Sequence, residues 1–354
     1  MRSFVRAAKF IIQSQMKAFP EIVKAEIEII AGNDRLPALL YRRAGIGDNR
    51  VRGTILSVSG MSVHGHRDIR FDTICRAMAA REFIVISPLF RDIEEFEIND
   101  RTVETIASAI RSIAGNSALS PDGRVSLFSP SFSAAMCIIA ASRPDTAGTI
   151  GAICSVGTFG SVETAIEFLF ARQDSDEYGR MIVLRNFLHL SIGPNPALEK
   201  ALDICFRDNG FHRQQPELPA YLESLSLRER DIFERLRTDP SFRLHHWKRI
   251  LSGSGEMHEL IAGLSVVNRL SGLRAPVALI HGADDNVIPP SESVMIYREL
   301  CRLNVPARIT LTPLITHGDT SLGPSMLRAI FSLARTFAFF FRHAERPRRK
   351  RSVS

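Results

Sequence analysis

Short apolar runs of strand length alternate with helical segments over the first 156 residues, stop for 112 residues, and then resume. That rhythm constrains the fold more than any composition figure does. Strand-length runs fall at 26–30 and 36–41 around Gly32-Asn33-Asp34, a hairpin signature, and then at 53–58, 83–87, 124–128 and 149–156. Between them, helical periodicity appears at 68–80, with Phe71, Ile74, Cys75 and Met78 on one face, at 101–113 and at 132–141. Such alternation predicts a mostly parallel sheet covered by helices on both faces. The pattern returns as a strand at 276–281, a helix at 291–303, a strand at 307–312 and a last helix from about 324 to 342.

The interval 161–272 is rich in charges and poor in β-branched runs, and it reads as largely helical. It is too long to be a loop of a compact domain, so a helical insertion is expected before the last two strands. The expected organisation is an amphipathic helix at 1–20, a core formed by 21–160 and 273–345, the insertion at 161–272 and a basic tail at 346–354.

Charge narrows the partners. The ends hold all of the +7 net charge: +4 in 1–20 and +5 in 342–354, which leaves the body between them slightly acidic. A nucleic-acid groove needs basic residues spread across the fold, so nucleic acid is not an expected partner. The five cysteines, Cys75, Cys137, Cys154, Cys205 and Cys301, are odd in number and without Cys-x-x-Cys or Cys/His spacing. Neither a disulfide framework nor a metal site is expected, no cofactor is implied, and a reducing cytoplasmic compartment follows. No run is apolar and long enough to span a bilayer. In 1–20, however, Phe4, Ala8, Ile11, Ile12 and Phe19 share one face, and the basic residues lie mostly on the other. Together with 346–354 this suggests peripheral contact with an anionic membrane, at its inner face; packing of the same apolar face on the core is the competing expectation.

Three segments carry chemistry. Ser129-Pro130-Ser131-Phe132-Ser133 follows one strand, His281-Gly282-Ala283-Asp284-Asp285 follows another, and Thr316-His317-Gly318 comes near the end. They supply a nucleophile, an acid and a base in the order Ser, Asp, His. That order is similar to the α/β-hydrolase superfamily of serine esterases, lipases and thioesterases, and differs from the orders of the other well-known serine-triad folds. The similarity runs from about residue 26 to 342. It implies an eight-stranded, mostly parallel sheet with helices on both faces, the 161–272 insertion acting as a helical lid.

The resemblance also implies roles. The usual nucleophile elbow reads Gly-x-Ser-x-Gly, whereas here Ser129 and Ser133 replace both glycines around Ser131. Ser131 is the preferred nucleophile from the distance to the preceding strand, with a register centred on Ser133 as the alternative. The family's carboxylate lies three residues after a strand-ending glycine, which points to Asp285, with Asp284 second. His317, 32 residues beyond Asp285, is the base. The oxyanion hole would use the backbone N–H groups of Phe132 and Met61, with Gly60 allowing close approach and Ser59 standing where the family often has histidine. His64 would line the pocket mouth, or be part of a polar loop. Trp247, with Phe168, Leu169, Phe170 and Leu188, would supply an apolar wall or form the insertion's own core.

The expected activity is hydrolysis of a small-molecule carboxylic ester or thioester with an apolar acyl part, through an acyl-enzyme on Ser131. A serine at the elbow centre disfavours the dehalogenase branch, which needs aspartate there. The alternative from another class is a catalytically silent ligand-binding protein that keeps the fold.

Overall fold

The computed structural model describes residues 2–15, 19–253, 255–315 and 327–346. Eight strands form one sheet: β1 (Ile22–Ala31), β2 (Asp34–Arg43), β3 (Thr54–Ser57), β4 (Ile84–Pro88), β5 (Val125–Pro130), β6 (Ile150–Val156), β7 (Val277–Gly282) and β8 (Ala307–Thr312). Their spatial order is β1-β2-β4-β3-β5-β6-β7-β8. β2 pairs antiparallel with both β1 and β4, and every other pairing is parallel. The hairpin turns at Gly32, whose φ of +65° suits a residue without a Cβ.

Helices fill the connections in chain order: α1 (Arg2–Gln13), α2 (Ile69–Ala79), the single turn α3 (Arg91–Glu94), α4 (Arg101–Gly115) and α5 (Ser131–Ala141). Between β6 and β7 come α6 (Val162–Ala171), α7 (Glu177–Phe187), α8 (His189–Ile192), α9 (Pro196–Phe211), α10 (Leu218–Glu223), α11 (Leu227–Thr238), α12 (Pro240–Leu251) and α13 (Gly255–Leu264). The last two are α14 (Pro290–Arg302) and α15 (Leu327–Ala344).

The strand period of two divides the sheet's residues between two cores. Leu56, Ile84, Ile86, Val125, Leu127, Ile153, Val277 and Leu279 point into the layer built by α4, α5 and α14. Their neighbours Ile55, Val85, Phe128, Ala152, Cys154, Ala278 and Ile280 point into the layer built by α1, α2 and α15. In β3 to β7 both faces are buried, which is why those strands read as apolar runs rather than as alternating ones.

The second core changes the reading of the amino terminus. The buried stripe of α1 is Ala7, Phe10 and Ile11, while Ile12 is 66% exposed. Phe10 stacks edge-on against Phe337 and Phe341 of α15, and Phe4 meets Phe331. Of the face expected from the sequence, Ile11 and Phe19 are buried and Phe4 reaches α15, while Ala7 and Phe10 join it and Ile12 is left outside, so in the described residues this face packs on the core. No helix among the described residues is long and apolar enough to cross a membrane.

The segment between β6 and β7 has an interior of its own, continuous with the α4/α5 layer, with Phe170, Phe206, Phe233 and Trp247 buried. At its centre lies Arg243, fully buried, donating to the carbonyls of Phe170, Arg172, Leu236 and Arg237. These are the orphan acceptors at the C-terminal ends of α6 and α11, where the helix dipoles favour a cation. Burial and the nearby Arg180 charge pull the Arg243 guanidinium down to about 10. It therefore stays charged at neutral pH and staples two helix ends.

Candidate active site

The site begins where β5 turns into α5. Pro130 is extended, and the next residue, Ser131, opens the helix with φ at +55°, in the left-handed region. A side chain with a Cβ is disfavoured there by about 1–2 kcal/mol, so the surrounding packing must impose the turn. Four other non-glycine described residues share positive φ, and Ser131 is the one at a strand-to-helix junction. Such a turn lifts the side chain to the carboxyl edge of the sheet, at the head of α5.

The flanking serines have separate uses. Ser129 is fully buried in β5, paired with Ser155 of β6. Ser133 is also fully buried, and its hydroxyl donates to the Ser59 carbonyl at 2.5 Å. Of the two registers left open by the serine repeat, the strained backbone falls on Ser131, while the Ser133 hydroxyl is committed to a buried brace.

That brace joins the elbow to the turn after β3. Val58 N–H donates to the Phe128 carbonyl, continuing the β3–β5 pairing. Gly60 then backs onto Pro130, where a Cβ would lie 3.3 Å from the proline ring. Met61 is partly buried and its carbonyl accepts from the Tyr178 hydroxyl at 3.1 Å. Phe132 is 8% exposed, with its ring against Phe159. The structure therefore brings Ser131, Phe132, Gly60 and Met61 to neighbouring turns at one end of adjacent strands β3 and β5.

Beyond Met61 the loop is held by carboxylates. Ser62 donates to Asp68, which caps α2 and pairs with Arg70. Burial alone would raise the Asp68 carboxyl, but hydrogen bonds from Arg70 and Ser62, with the Arg70 charge, hold it below the usual range. His66 gives both its backbone N–H and its Nδ1 to the same Glu94 oxygen, at 2.8 and 2.9 Å. His64 is exposed, and its ring meets Phe211 at the end of α9 edge-on.

The acid loop follows β7. Asp285 is 6% exposed whereas Asp284 is exposed, so the buried carboxylate is the one three residues after Gly282. One Asp285 oxygen accepts from the Val287 and Ile288 N–H groups at 2.9 and 3.0 Å, and the other lies 3.6 Å from His281 Nε2. Two backbone donors set the carboxylate's direction. His281 is fully buried; its Nε2 donates to the Ile288 carbonyl and its Nδ1 faces the Ser293 hydroxyl. It ties β7 to α14 and the acid loop. The Ile315 carbonyl packs directly on Gly282, which has no side chain to obstruct it. His317 lies outside the described residues.

Trp247 is 2% exposed, in the interior of the helical segment against Phe170 and Phe187, and Leu169 and Leu188 are buried with it. Phe168 is partly buried under the Arg172 guanidinium. Trp247, Leu169, Phe170, Phe187 and Leu188 belong to that segment's core, and Phe168 lies at its edge. Two contacts to the site were not foreseen from the sequence. Tyr178 sits in the polar stretch Asp174-Ser175-Asp176-Glu177-Tyr178, with no apolar spacing to mark it. The use of Ser133 as a brace is equally invisible in a serine-rich motif. Among the described residues no group of three or more His, Cys, Asp or Glu side chains could hold a metal ion.

No family model matches the chain, and no curated protein matches it in sequence. Solved structures do match. The Pyrococcus horikoshii acylaminoacyl peptidase is similar over 97% of this chain and 45% of that one, at a TM-score of 0.54 and 16% identity. Dipeptidyl peptidase 4 of Porphyromonas gingivalis matches over 92% of this chain and 36% of that one, at 0.54 and 10%. A puromycin-hydrolysing peptidase of Mycobacterium tuberculosis matches over 90% and 38%, at 0.51 and 14%. The chain spans less than half the length of each. At these identities the likeness establishes the architecture: the chain has the α/β-hydrolase fold, with an eight-stranded, mostly parallel sheet.

Proposed function

We propose that this protein is a serine hydrolase acting through an acyl-enzyme on Ser131. The observation that carries the proposal is the left-handed backbone at Ser131, imposed at the β5–α5 junction beside the braced turn Ser59-Gly60-Met61. In this reading Ser131 Oγ attacks the substrate carbonyl carbon and its proton passes to His317. Asp285, with a direction set by Val287 and Ile288 N–H, stabilises the imidazolium so formed. The carbonyl oxygen, now an oxyanion, is held by the N–H groups of Met61 and Phe132 at the head of α5. Collapse expels an alcohol or thiol, which takes the proton from His317. Water then repeats the attack on the acyl-enzyme and releases the acid.

The proposed substrate is an ester or thioester of an apolar acyl group, since Met61, Phe132 and Phe159 bring apolar surface to the elbow. A second reading, peptide-bond hydrolysis, is favoured by one observation: the three structural neighbours named above are peptidases by title. The same Ser131 chemistry serves both, with an amine as leaving group. A cytoplasmic location is part of the proposal, in keeping with five free cysteines, four of them buried.

Labelling with a fluorophosphonate followed by peptide mapping tests the core of this reading. The adduct is expected on Ser131, and turnover of short p-nitrophenyl esters is expected to exceed that of aminoacyl p-nitroanilides. The reverse preference would move the assignment to a peptidase. An unlabelled, inactive wild type would leave a ligand-binding protein on a hydrolase scaffold.

A further inference from the structure

The start of α7 touches two of the loops that build the site. Asp176 N–H donates to the Asn286 carbonyl at 3.2 Å, one residue after Asp285, and Gly179 packs on the Val287 side chain. Between them Tyr178 reaches the other way and donates its hydroxyl to the Met61 carbonyl at 3.1 Å. The ring is clamped edge-on by Phe96 and Phe206, with centroids 6.1 and 6.0 Å away, so the hydroxyl has a fixed origin. Asp176 also caps α7 by accepting from Gly179 N–H, which fixes the backbone that carries Tyr178.

The Met61 peptide group needs such a hold. Its N–H belongs to the Gly60–Met61 peptide, and glycine places little restriction on rotation of that plane. The Ser59 carbonyl, upstream, is tied by Ser133, and Gly60 rests on Pro130. Downstream, the tie on the Met61 carbonyl comes from Tyr178. Resting on the hydrolase reading above, we propose that Tyr178 is a positioning residue: its hydroxyl fixes the Met61 backbone so that the neighbouring N–H faces the oxyanion. The segment between β6 and β7 thereby completes the oxyanion hole, and a helix outside the core sheet controls the chemistry within it. Burial and the nearby Asp176 charge push the phenol's ionisation far above neutral pH, so Tyr178 remains a hydroxyl donor throughout the working range.

The test compares wild type with Tyr178→Phe, which keeps the ring packing and removes the hydroxyl. Loss of one oxyanion donor costs roughly a hundredfold to a thousandfold in kcat, and a donor held in place only part of the time costs less, about tenfold or more. The expected result is a fall of that size in kcat for a p-nitrophenyl ester and in the fluorophosphonate labelling rate, with KM within about twofold. Affinity for a short alkylboronic acid, whose tetrahedral adduct carries the oxyanion charge, falls in parallel. The melting temperature shifts by no more than a few degrees, separating this role from a purely structural one. Should Tyr178→Phe fail to fold, Gly210→Ala takes its place. A Cβ there would lie 2.8 Å from both the Tyr178 ring and Val63, displacing the hydroxyl without removing it, and the same loss of kcat is expected. Wild-type kcat in a folded Tyr178→Phe protein, or a change confined to KM, overturns the inference. A wild type that neither labels nor turns over any ester instead refutes the hydrolase reading, and the inference falls with it.

Discussion

If the backbone at Ser131 is strained for the sake of chemistry, removing the strain should stabilise the protein as it abolishes activity. The decisive pair is Ser131→Ala and Ser131→Gly. Both remove the hydroxyl, so both should lose about 10⁴-fold or more in turnover. They differ in the Cβ. Alanine keeps it at φ +55°, with the penalty of about 1–2 kcal/mol for a side chain in the left-handed region. Glycine escapes that penalty but gives the unfolded chain about 0.5–1 kcal/mol of extra freedom. Ser131→Gly is therefore expected to be more stable than Ser131→Ala by about 0.5–1 kcal/mol. In a chain of 354 residues that is only about 1 °C in Tm, so urea midpoints are the better assay. An alanine variant as stable as the glycine variant would show that the left-handed backbone is relaxed in its surroundings, and the strained-elbow argument would fail.

The other predictions concern the supports of the site. Ser133→Ala strands the buried Ser59 carbonyl and should destabilise by about 1–3 kcal/mol. Fluorophosphonate labelling is expected to continue on Ser131, whereas labelling that disappears with Ser133 alone would move the nucleophile. Arg243→Met leaves the Phe170, Leu236 and Arg237 carbonyls without their Arg243 donor, the Arg172 carbonyl keeping the Ser175 hydroxyl, and should destabilise by about 3 kcal/mol or more, seen as early protease cleavage between 161 and 272. Cleavage no faster than in wild type would remove the staple role. Burial, with neighbouring positive charges, lowers the His246 and His343 pKa values below the ordinary 6.5. The unfolded chain then binds protons that the fold refuses, so stability is full above pH 6.5 and declines as pH falls through that window; His246→Gln should flatten the decline in urea midpoint against pH. Finally, contact with anionic membranes through 1–20 and 346–354 predicts salt-sensitive co-sedimentation with anionic but not neutral vesicles, lost when 346–354 is deleted; equal recovery in both supernatants rejects it.

Much of the fold was legible because a sheet buried on both faces leaves a simple trace. Each core strand became an apolar run, and α4 and α14 kept a clear helical stripe, so elements were placed within a few residues of their observed ends. The sequence marked Gly282 and Asp285 together, and in the fold Gly282 lies against the Ile315 backbone while Asp285, the proposed acid, is the buried carboxylate three residues on. For the elbow register the sequence offered only the strand distance that favours Ser131 over Ser133, since the alternate serines have equal side chains; the backbone dihedral and the Ser133–Ser59 bond distinguish them in the fold. The exact centre of the α1 stripe, at Ala7, Phe10 and Ile11 rather than Ile12, was not readable because it depends on Phe337 and Phe341, more than three hundred residues away. The interior of 161–272 was opaque for a similar reason. An arginine such as Arg243 looks like a surface residue until two helix ends converge on it.

The substitution of serine for both elbow glycines can now be weighed physically. Glycine at these positions serves to let the elbow pack closely, and serine is small enough to be fully buried at both. What serine adds at 133 is a bond across to the turn after β3, the proposed oxyanion turn, and the next link, from Met61 to Tyr178, continues the same chain of contacts outward. A third contact, Asp176 to Asn286, closes the path from the oxyanion loop to the acid loop without passing through the sheet. Ligand sites in open parallel sheets lie beyond the carboxyl ends of the strands, where separate loops must be aligned. Here hydrogen bonds from Ser133, Tyr178 and Asp176 link the β3, β5 and β7 loops, directly or through the start of α7, beside the close approaches at Gly60, Gly179 and Gly282. The Ser133 and Tyr178 bonds can each be removed by deleting one oxygen atom, which makes the argument testable at the level on which it is made.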